Sequence, residues 1–232
     1  MEVDTIIISD IHLGTHICRA EALLKTLKQY KKKGNYIFKR LILLGDIFQD
    51  LNFNRFNQYE WEFLSYIRNL SDPTNHIQVI WVLGNHDYEP LITASRLLGV
   101  EVFEEYQWVY NNKKYLAIHG DQFDRFLINN VFISKLSIKL FQFIQRIDFK
   151  HKRFSRYLDK FSSKWLQLAD KVKYGAIEYA RKKQVDAIFC GHVHQANLII
   201  DTIIYGNTGS WTQIPSSYIT IGKNGINLIK VE

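Results

Sequence analysis

The chain reads as an α/β protein whose functional site lies along one sheet edge. Short apolar runs of strand length alternate with stretches of helical periodicity. Five of those runs end in Asp, Asn or His. Ile6-Ile7-Ile8 leads into Ser9-Asp10-Ile11-His12, Leu41 to Leu44 into Gly45-Asp46, and Val79 to Leu83 into Gly84-Asn85-His86-Asp87. Leu116-Ala117-Ile118 leads into His119-Gly120-Asp121, and Ala187 to Cys190 into Gly191-His192-Val193-His194. Open α/β sheets bind their ligands beyond the carboxyl ends of strands, and this grammar places polar groups there five times.

Taken in order, residues 3–9 form the first strand, followed by Asp10 and His12. In extended chain the i, i+2 spacing puts both side chains on one side, within reach of one ion. Asp10 as a plain helix cap is the bland alternative. Ala20 to Lys31 is predicted helical, with Ala20, Leu23, Leu24 and Leu27 on one face, and Gly34-Asn35 stops it. Residues 40–44 form a strand ending at Asp46, whose two carboxylate oxygens can bridge two cations. Residues 57–70 form a helix that Asp72-Pro73 breaks. After Val79 to Leu83, Asn85 offers a neutral oxygen ligand, and His86 a ligand or a proton donor. A short helix is expected at 91–98 and a hairpin over 100–118, with Asn111-Asn112-Lys113-Lys114 as its turn.

From 125 to 183 the pattern turns helical. Phe132, Leu136, Leu140, Phe143 and Ile147 repeat at helical spacing, as do Phe154, Leu158, Phe161, Trp165, Leu168 and Val172. Phe126, Ile133, Phe141 and Ile144 widen the first stripe. Lys and Arg crowd the remaining positions, opposed between 126 and 173 only by Asp148, Asp159 and Asp170. A wide apolar stripe with basic flanks fits an interfacial helix or a lipid-accepting cap; a packed pair with a solvated basic face is the plain alternative. Ala176 to Lys183 is read as a further helix. Strands follow at 185–190 and 198–205, with a turn at Gly206 to Trp211 and a closing hairpin over 217–231.

Composition sets broad limits. The net charge of +7 favours an anionic partner, whether a phosphate ester, nucleic acid or an acidic membrane surface. Two cysteines, Cys18 and Cys190, are too few for a disulfide framework and suggest a reducing compartment. Neither a signal-peptide pattern nor a spanning run of about 18 to 20 apolar residues is present, so a cytoplasmic protein is expected.

The strand-end set Asp10, His12, Asp46, Asn85, His119, His192 and His194 mixes nitrogen and oxygen donors. That mixture suits two divalent transition-metal ions: Mn, Fe, Zn or Co. Such a pair clamps a phosphoryl group and activates water, with His86 beside the scissile oxygen.

These blocks resemble the calcineurin-like metallophosphoesterases from residue 6 to about 211. The resemblance implies a four-layer αββα sandwich of two mixed β-sheets, here one domain over 1–232 with a helical cap inserted at about 125–174. It implies one metal held by Asp10, His12, Asp46 and His194, another by Asp46, Asn85, His119 and His192, and His86 as the catalytic histidine. Manganese is the ion expected first.

Ser9 to Thr15 with Cys18-Arg19-Ala20-Glu21, His119-Gly120-Asp121-Gln122-Phe123-Asp124, the helical insertion and Asn207 to Trp211 are similar to the UDP-2,3-diacylglucosamine diphosphatase branch. That branch implies hydrolysis to UMP and 2,3-diacylglucosamine 1-phosphate at the inner face of a membrane, as in lipid A biosynthesis. Phe132, Phe141 and Phe143 would line the acyl site. Asp121 and Asp124 would hold substrate hydroxyls or orient His119. His86 departs from the arginine of the best-known lipid A enzymes, which keeps a second reading open: a metallophosphodiesterase acting on a soluble nucleotide or other diester. Nucleic acid is the less favoured partner. A third reading, a silent membrane- or partner-binding scaffold, is expected to show missing ligands, and none is missing.

Overall fold

A computed structural model describes residues 3–32, 34–50, 52–87, 95–124 and 154–232, with side chains of 154–166 excepted. Two mixed sheets pack face to face with helices on their outer faces. Strands β1 (Val3–Ile8), β4 (Arg40–Leu44), β5 (Gln78–Val82) and β6 (Glu101–Phe103) run parallel in the first sheet. β12 (Ser216–Gly222) and β13 (Gly225–Val231) complete it, in the order β13-β12-β1-β4-β5-β6. The second sheet is built from β7 (Glu105–Tyr110), β8 (Lys113–Ile118), β9 (Ala187–Cys190), β10 (Asn197–Ile199) and β11 (Ile204–Asn207). Its order is β10-β11-β9-β8-β7.

The central strands are apolar on both faces because both faces are covered. Ile7, Ile42, Leu44, Ile80 and Val82 point inward and meet Tyr115, Ala117, Ala187 and Phe189 of the other sheet. Their neighbours Ile6, Ile8, Leu41, Leu43 and Trp81 point outward onto Leu23, Leu24 and Leu27 of α1 (Ala20–Lys28) and Phe63, Ile67 and Leu70 of α2 (Gln58–Leu70). On the far side, Leu116, Ile118 and Ile188 meet Ala176 and Ala180 of α3 (Phe154–Lys183). Phe189 is fully buried where the sheets face each other, its ring 6.0 Å from Trp108 and 6.2 Å from Tyr115. Phe189→Ala is expected to cost about 3–5 kcal/mol in a urea titration; a loss below about 1 kcal/mol would mean the sheets do not share this core.

Several sequence expectations change. Helix α1 ends at Lys28, short of Lys31, because the chain turns into a small hairpin of β2 (Lys31–Lys32) and β3 (Asn35–Tyr36). The 100–118 hairpin divides: β6 joins the first sheet, while β7 and β8 pair in the second. Its turn is the two residues Asn111 and Asn112, both at positive φ, not four residues. The single strand expected at 198–205 is two antiparallel strands. The helices expected on either side of residue 175 are one, since Gly175 sits inside α3 and accommodates Phe123. Of the short helix at 91–98, residues 95–98 are helical and the rest lie outside the described residues. The candidate acyl-site residues Phe132, Phe141 and Phe143 also lie outside them, with most of the proposed cap.

Candidate metal centre

The five strand ends of the sequence pattern, those of β1, β4, β5, β8 and β9, meet at one end of the sandwich. Asp10 and His12 follow β1, Asp46 follows β4, Asn85 to Asp87 follow β5, His119 follows β8, and His192 and His194 follow β9. The loops are tied edge to edge. Asp10 N–H donates to the Gly45 carbonyl at 3.1 Å, His12 N–H to Asp46 at 3.0 Å, and Gly191 N–H to His119 at 3.0 Å.

Asp10 and His12 do not sit in extended chain, as the i, i+2 argument assumed. Asp10, His12, Asp46, His192 and His194 all adopt left-handed φ, between 50° and 68°. This region is uncommon for residues with a Cβ and persists only when surrounding contacts enforce it. Five such residues in one cluster place local strain at the site itself.

The donor atoms converge. His194 Nε2 is 3.0 Å from Asp10 Oδ1 and 3.3 Å from His12 Nε2. His12 Nε2 is 3.9 Å from Asp46 Oδ2, and His119 Nε2 approaches the same oxygen at 3.5 Å. His192 Nδ1 is 3.1 Å from Asn85 Oδ1. All seven predicted residues are therefore brought together. Overlapping groups that could hold an ion are Asp10, His12 and His194; His12, Asp46 and His86; and Asp10, Asp46 and His119.

The surroundings are built for this cluster. Gly45 and Gly84 leave room where a Cβ would collide with His119 and Asp46, and Gly191 does so beside Asp10. His119 Nδ1 faces the Leu44 carbonyl at 3.0 Å, so the proton belongs there and Nε2 is left to act as a donor. Buried His119 Nε2 and His192 Nε2 make no hydrogen bond among the described residues. Nitrogen and carboxylate oxygens facing one another without a donor fit an ion between them.

The electrostatics agree. Burial works to raise the Asp46 pKa, but His119, His86 and His12 outweigh it and hold the carboxyl well below its usual range. Asp10 is likewise lowered, with His194 overcoming burial. For His119 and His194 burial opposes the charge, yet Asp46 and Asp10 respectively raise them. Burial dominates at His12 and brings it down to about 4. The carboxylates are thus anionic, ready for cations.

His86 lies beside this set. Its ring centroid is 5.1 Å from that of His12, its N–H donates to Asp46 Oδ1 at 2.9 Å, and its Nδ1 is 3.3 Å from the Gln49 carbonyl. Asp124 is buried and its Oδ2 lies 3.5 Å from His192 Nε2. Asp121 opens the 3₁₀ turn before it. Arg19 serves to tie chain segments, donating to Ser216 Oγ at 2.9 Å and the Val231 carbonyl at 3.1 Å.

Two residues escaped the sequence reading as parts of the site. Asp87 Oδ2 accepts from the N–H groups of Asp46 and Gly84 and from Trp81 Nε1, at 3.0, 2.8 and 3.1 Å. It clamps the β4 and β5 loops together. The only sequence signal was its place at the end of the Gly84-Asn85-His86-Asp87 block. Glu60 caps α2 through the Asn57 N–H and also accepts from the Gly14 N–H behind the Asp10–His12 loop. Nothing in its spacing marks the second contact.

A two-sheet α/β sandwich with an Asp/His cluster positioned for metal binding defines the class of protein. A sequence model described as calcineurin-like phosphoesterase matches residues 4–196. The chain belongs to that family. Among solved structures, a novel archaeal phosphodiesterase aligns at TM-score 0.50 with 13% identity, covering 98% of this chain and 99% of that one. Vacuolar protein sorting 29 from Cryptosporidium parvum aligns at 0.48 with 12% identity over 99% and 97% of the two chains. A predicted phosphoesterase from Streptococcus pneumoniae aligns at 0.44 with 14% identity over 98% and 97%. At these identities the first likeness speaks to the fold alone. No curated protein matches the chain in sequence. Among the described residues, no helix is long and apolar enough to cross a membrane.

Proposed function

We propose that this protein is a two-metal phosphoesterase that hydrolyses a pyrophosphate or phosphodiester bond. The observation carrying the proposal is the convergence of Asp10, His12, Asp46, Asn85, His119, His192 and His194 on one cluster, in which Asp10, His12, Asp46, His119 and His192 are buried. Asp10, His12, Asp46 and His194 would hold one divalent ion, and Asp46, Asn85, His119 and His192 the other, with manganese the first choice. Such ions neutralise phosphoryl oxygens and activate water at neutral pH. The chain's own groups do the rest. Asp46 joins the two halves of the cluster. His86 is steadied through its backbone by Asp46 and through Nδ1–H by the Gln49 carbonyl, so that a doubly protonated ring would turn its Nε2–H to the leaving oxygen.

For the substrate, UDP-2,3-diacylglucosamine is preferred, cleaved to UMP and 2,3-diacylglucosamine 1-phosphate. Support comes from the Ser9 to Thr15 and His119 to Asp124 blocks and from the basic, apolar insertion that would meet acyl chains and the inner membrane face. His86 in place of arginine favours a second reading, a soluble nucleotide or other small diester. The test is hydrolysis of UDP-diacylglucosamine by metal-stripped enzyme reloaded with Mn. Formation of UMP and the lipid sugar phosphate is the expected result. Turnover of a small chromogenic diester alone would overturn the lipid assignment and keep the two-metal reaction. No turnover of either by metal-loaded protein would overturn both in favour of a non-catalytic scaffold.

A further inference from the structure

We infer that Thr208 is a positioning residue. Its hydroxyl acts through that of Ser9 to tie down one oxygen of Asp10 and leave the other as the ligand. The inference rests on the two-metal reading above and deepens it. Thr208 follows β11 in a turn fastened to two strands. Its N–H donates to the Cys190 carbonyl at 3.0 Å, and its own carbonyl accepts from Ser217 Oγ at 2.7 Å. Beside it, Asn207 Nδ2 donates to the Gly191 carbonyl at 2.6 Å. These ties carry the Thr208 side chain to the end of β1, where Thr208, Ser9 and Asp10 are all fully buried.

Thr208 Oγ1 is 2.6 Å from Ser9 Oγ, and Ser9 Oγ in turn donates to Asp10 Oδ2. Each hydroxyl has one proton, and a carboxylate that ligates a cation can only accept. The Ser9 proton is therefore committed to Asp10. Thr208 must then be the donor of the 2.6 Å contact, its other acceptor, the Cys190 carbonyl, lying at 3.4 Å. The order Thr208 to Ser9 to Asp10 is fixed by elimination. Without the Thr208 hydroxyl, Ser9 can turn its proton to the Gly209 carbonyl, 3.2 Å away, and release Asp10.

Asp10 Oδ2 also accepts the His192 N–H at 3.0 Å, so two donors occupy it. A Cβ on Gly191 would collide with this oxygen and with Ser9 Oγ, which shows how closely the three segments meet. Oδ1 is left facing His194 Nε2 at 3.0 Å and His12 Nε2 at 4.0 Å. Those are the residues assigned with Asp10 to one ion. The hydroxyl pair thus selects the ligand oxygen, and outer partners of this kind orient a ligating carboxylate.

Calorimetric titration with Mn²⁺ of metal-free wild type, Thr208→Val, Thr208→Ser, Ser9→Ala and the Ser9→Ala/Thr208→Val double variant tests this. The wild type is expected to bind two ions. Thr208→Val weakens one of them about 10-fold and Ser9→Ala the same one about 10–100-fold, while the other binds as in wild type. Thr208→Ser keeps the hydroxyl and the wild-type affinities. The double variant loses no more than Ser9→Ala alone, because Thr208 acts only through Ser9. Proton spectra of the metal-free wild type show a downfield hydroxyl signal that Ser9→Ala removes and Thr208→Val moves upfield. Unchanged affinities in a folded Thr208→Val would overturn the inference, as would losses that multiply in the double variant or a Thr208→Ser as weak as Thr208→Val. A wild type that takes up no metal would overturn the two-metal reading. The hydroxyl signal still decides the relay in that case: its absence, or a position unmoved by Thr208→Val, overturns it.

Discussion

Replacing Asp46 with alanine is expected to lower phosphodiester turnover by at least about a thousand-fold and to reduce bound metal from two ions to one or none. The expectation follows from where its oxygens lie. Oδ2 is within 3.9 Å of His12 Nε2 and 3.5 Å of His119 Nε2, which belong to opposite halves of the cluster. Oδ1 accepts the His86 N–H, so the same side chain steadies the proposed proton donor. Alanine removes both contacts and leaves buried imidazoles without their anion. Initial rates on a small chromogenic diester, paired with elemental metal analysis, measure the two losses. A variant that keeps a tenth of the activity with two ions bound would remove Asp46 from the bridging role.

Gly45→Ala is expected to destabilise the metal-free protein by roughly 2–4 kcal/mol and to abolish turnover as well. Gly45 stands at φ 78°, where a side chain is strained whatever the space. An added Cβ would also overlap the His119 ring and come within 2.9 Å of Gly84 Cα. The strands β4, β5 and β8 meet here with no room between their loops. Relief would require moving His119 away from the Leu44 carbonyl that orients it. Urea unfolding of wild type and variant gives the stability difference. A difference within about 0.5 kcal/mol, with full activity, would mean the loops are not packed as closely as described.

Most of the central strands were legible because their residues are apolar on both faces and are followed by polar metal-type residues. β1, β4, β5 and β9 appear close to where the apolar runs place them. Reading failed where local pattern is ambiguous. Isoleucines at 199, 200, 203 and 204 resemble one strand, yet the chain reverses between β10 and β11 with Ile200 left 71% exposed. The step from β6 to β7 is also silent in sequence: both segments look like strand, and only sheet packing assigns them to different sheets. The site was legible as residue types and spacing, but its supports were not. Asp87 and Glu60 act through contacts to loops distant in sequence, and no local periodicity encodes such contacts.

The amino-acid sequence by itself determined the α/β class and the seven residues that gather at the site. Strand ends carry their own chemistry, and apolar periodicity says which runs are buried. Only the tertiary structure decided how those residues face one another. The left-handed backbone at Asp10, His12, Asp46, His192 and His194 is imposed by loops packed against each other. The ring nitrogen that His119 leaves facing Asp46 depends on the Leu44 carbonyl, supplied from a strand distant in the chain. Orientation is a property of packing between distant segments, and spacing along one segment cannot specify it.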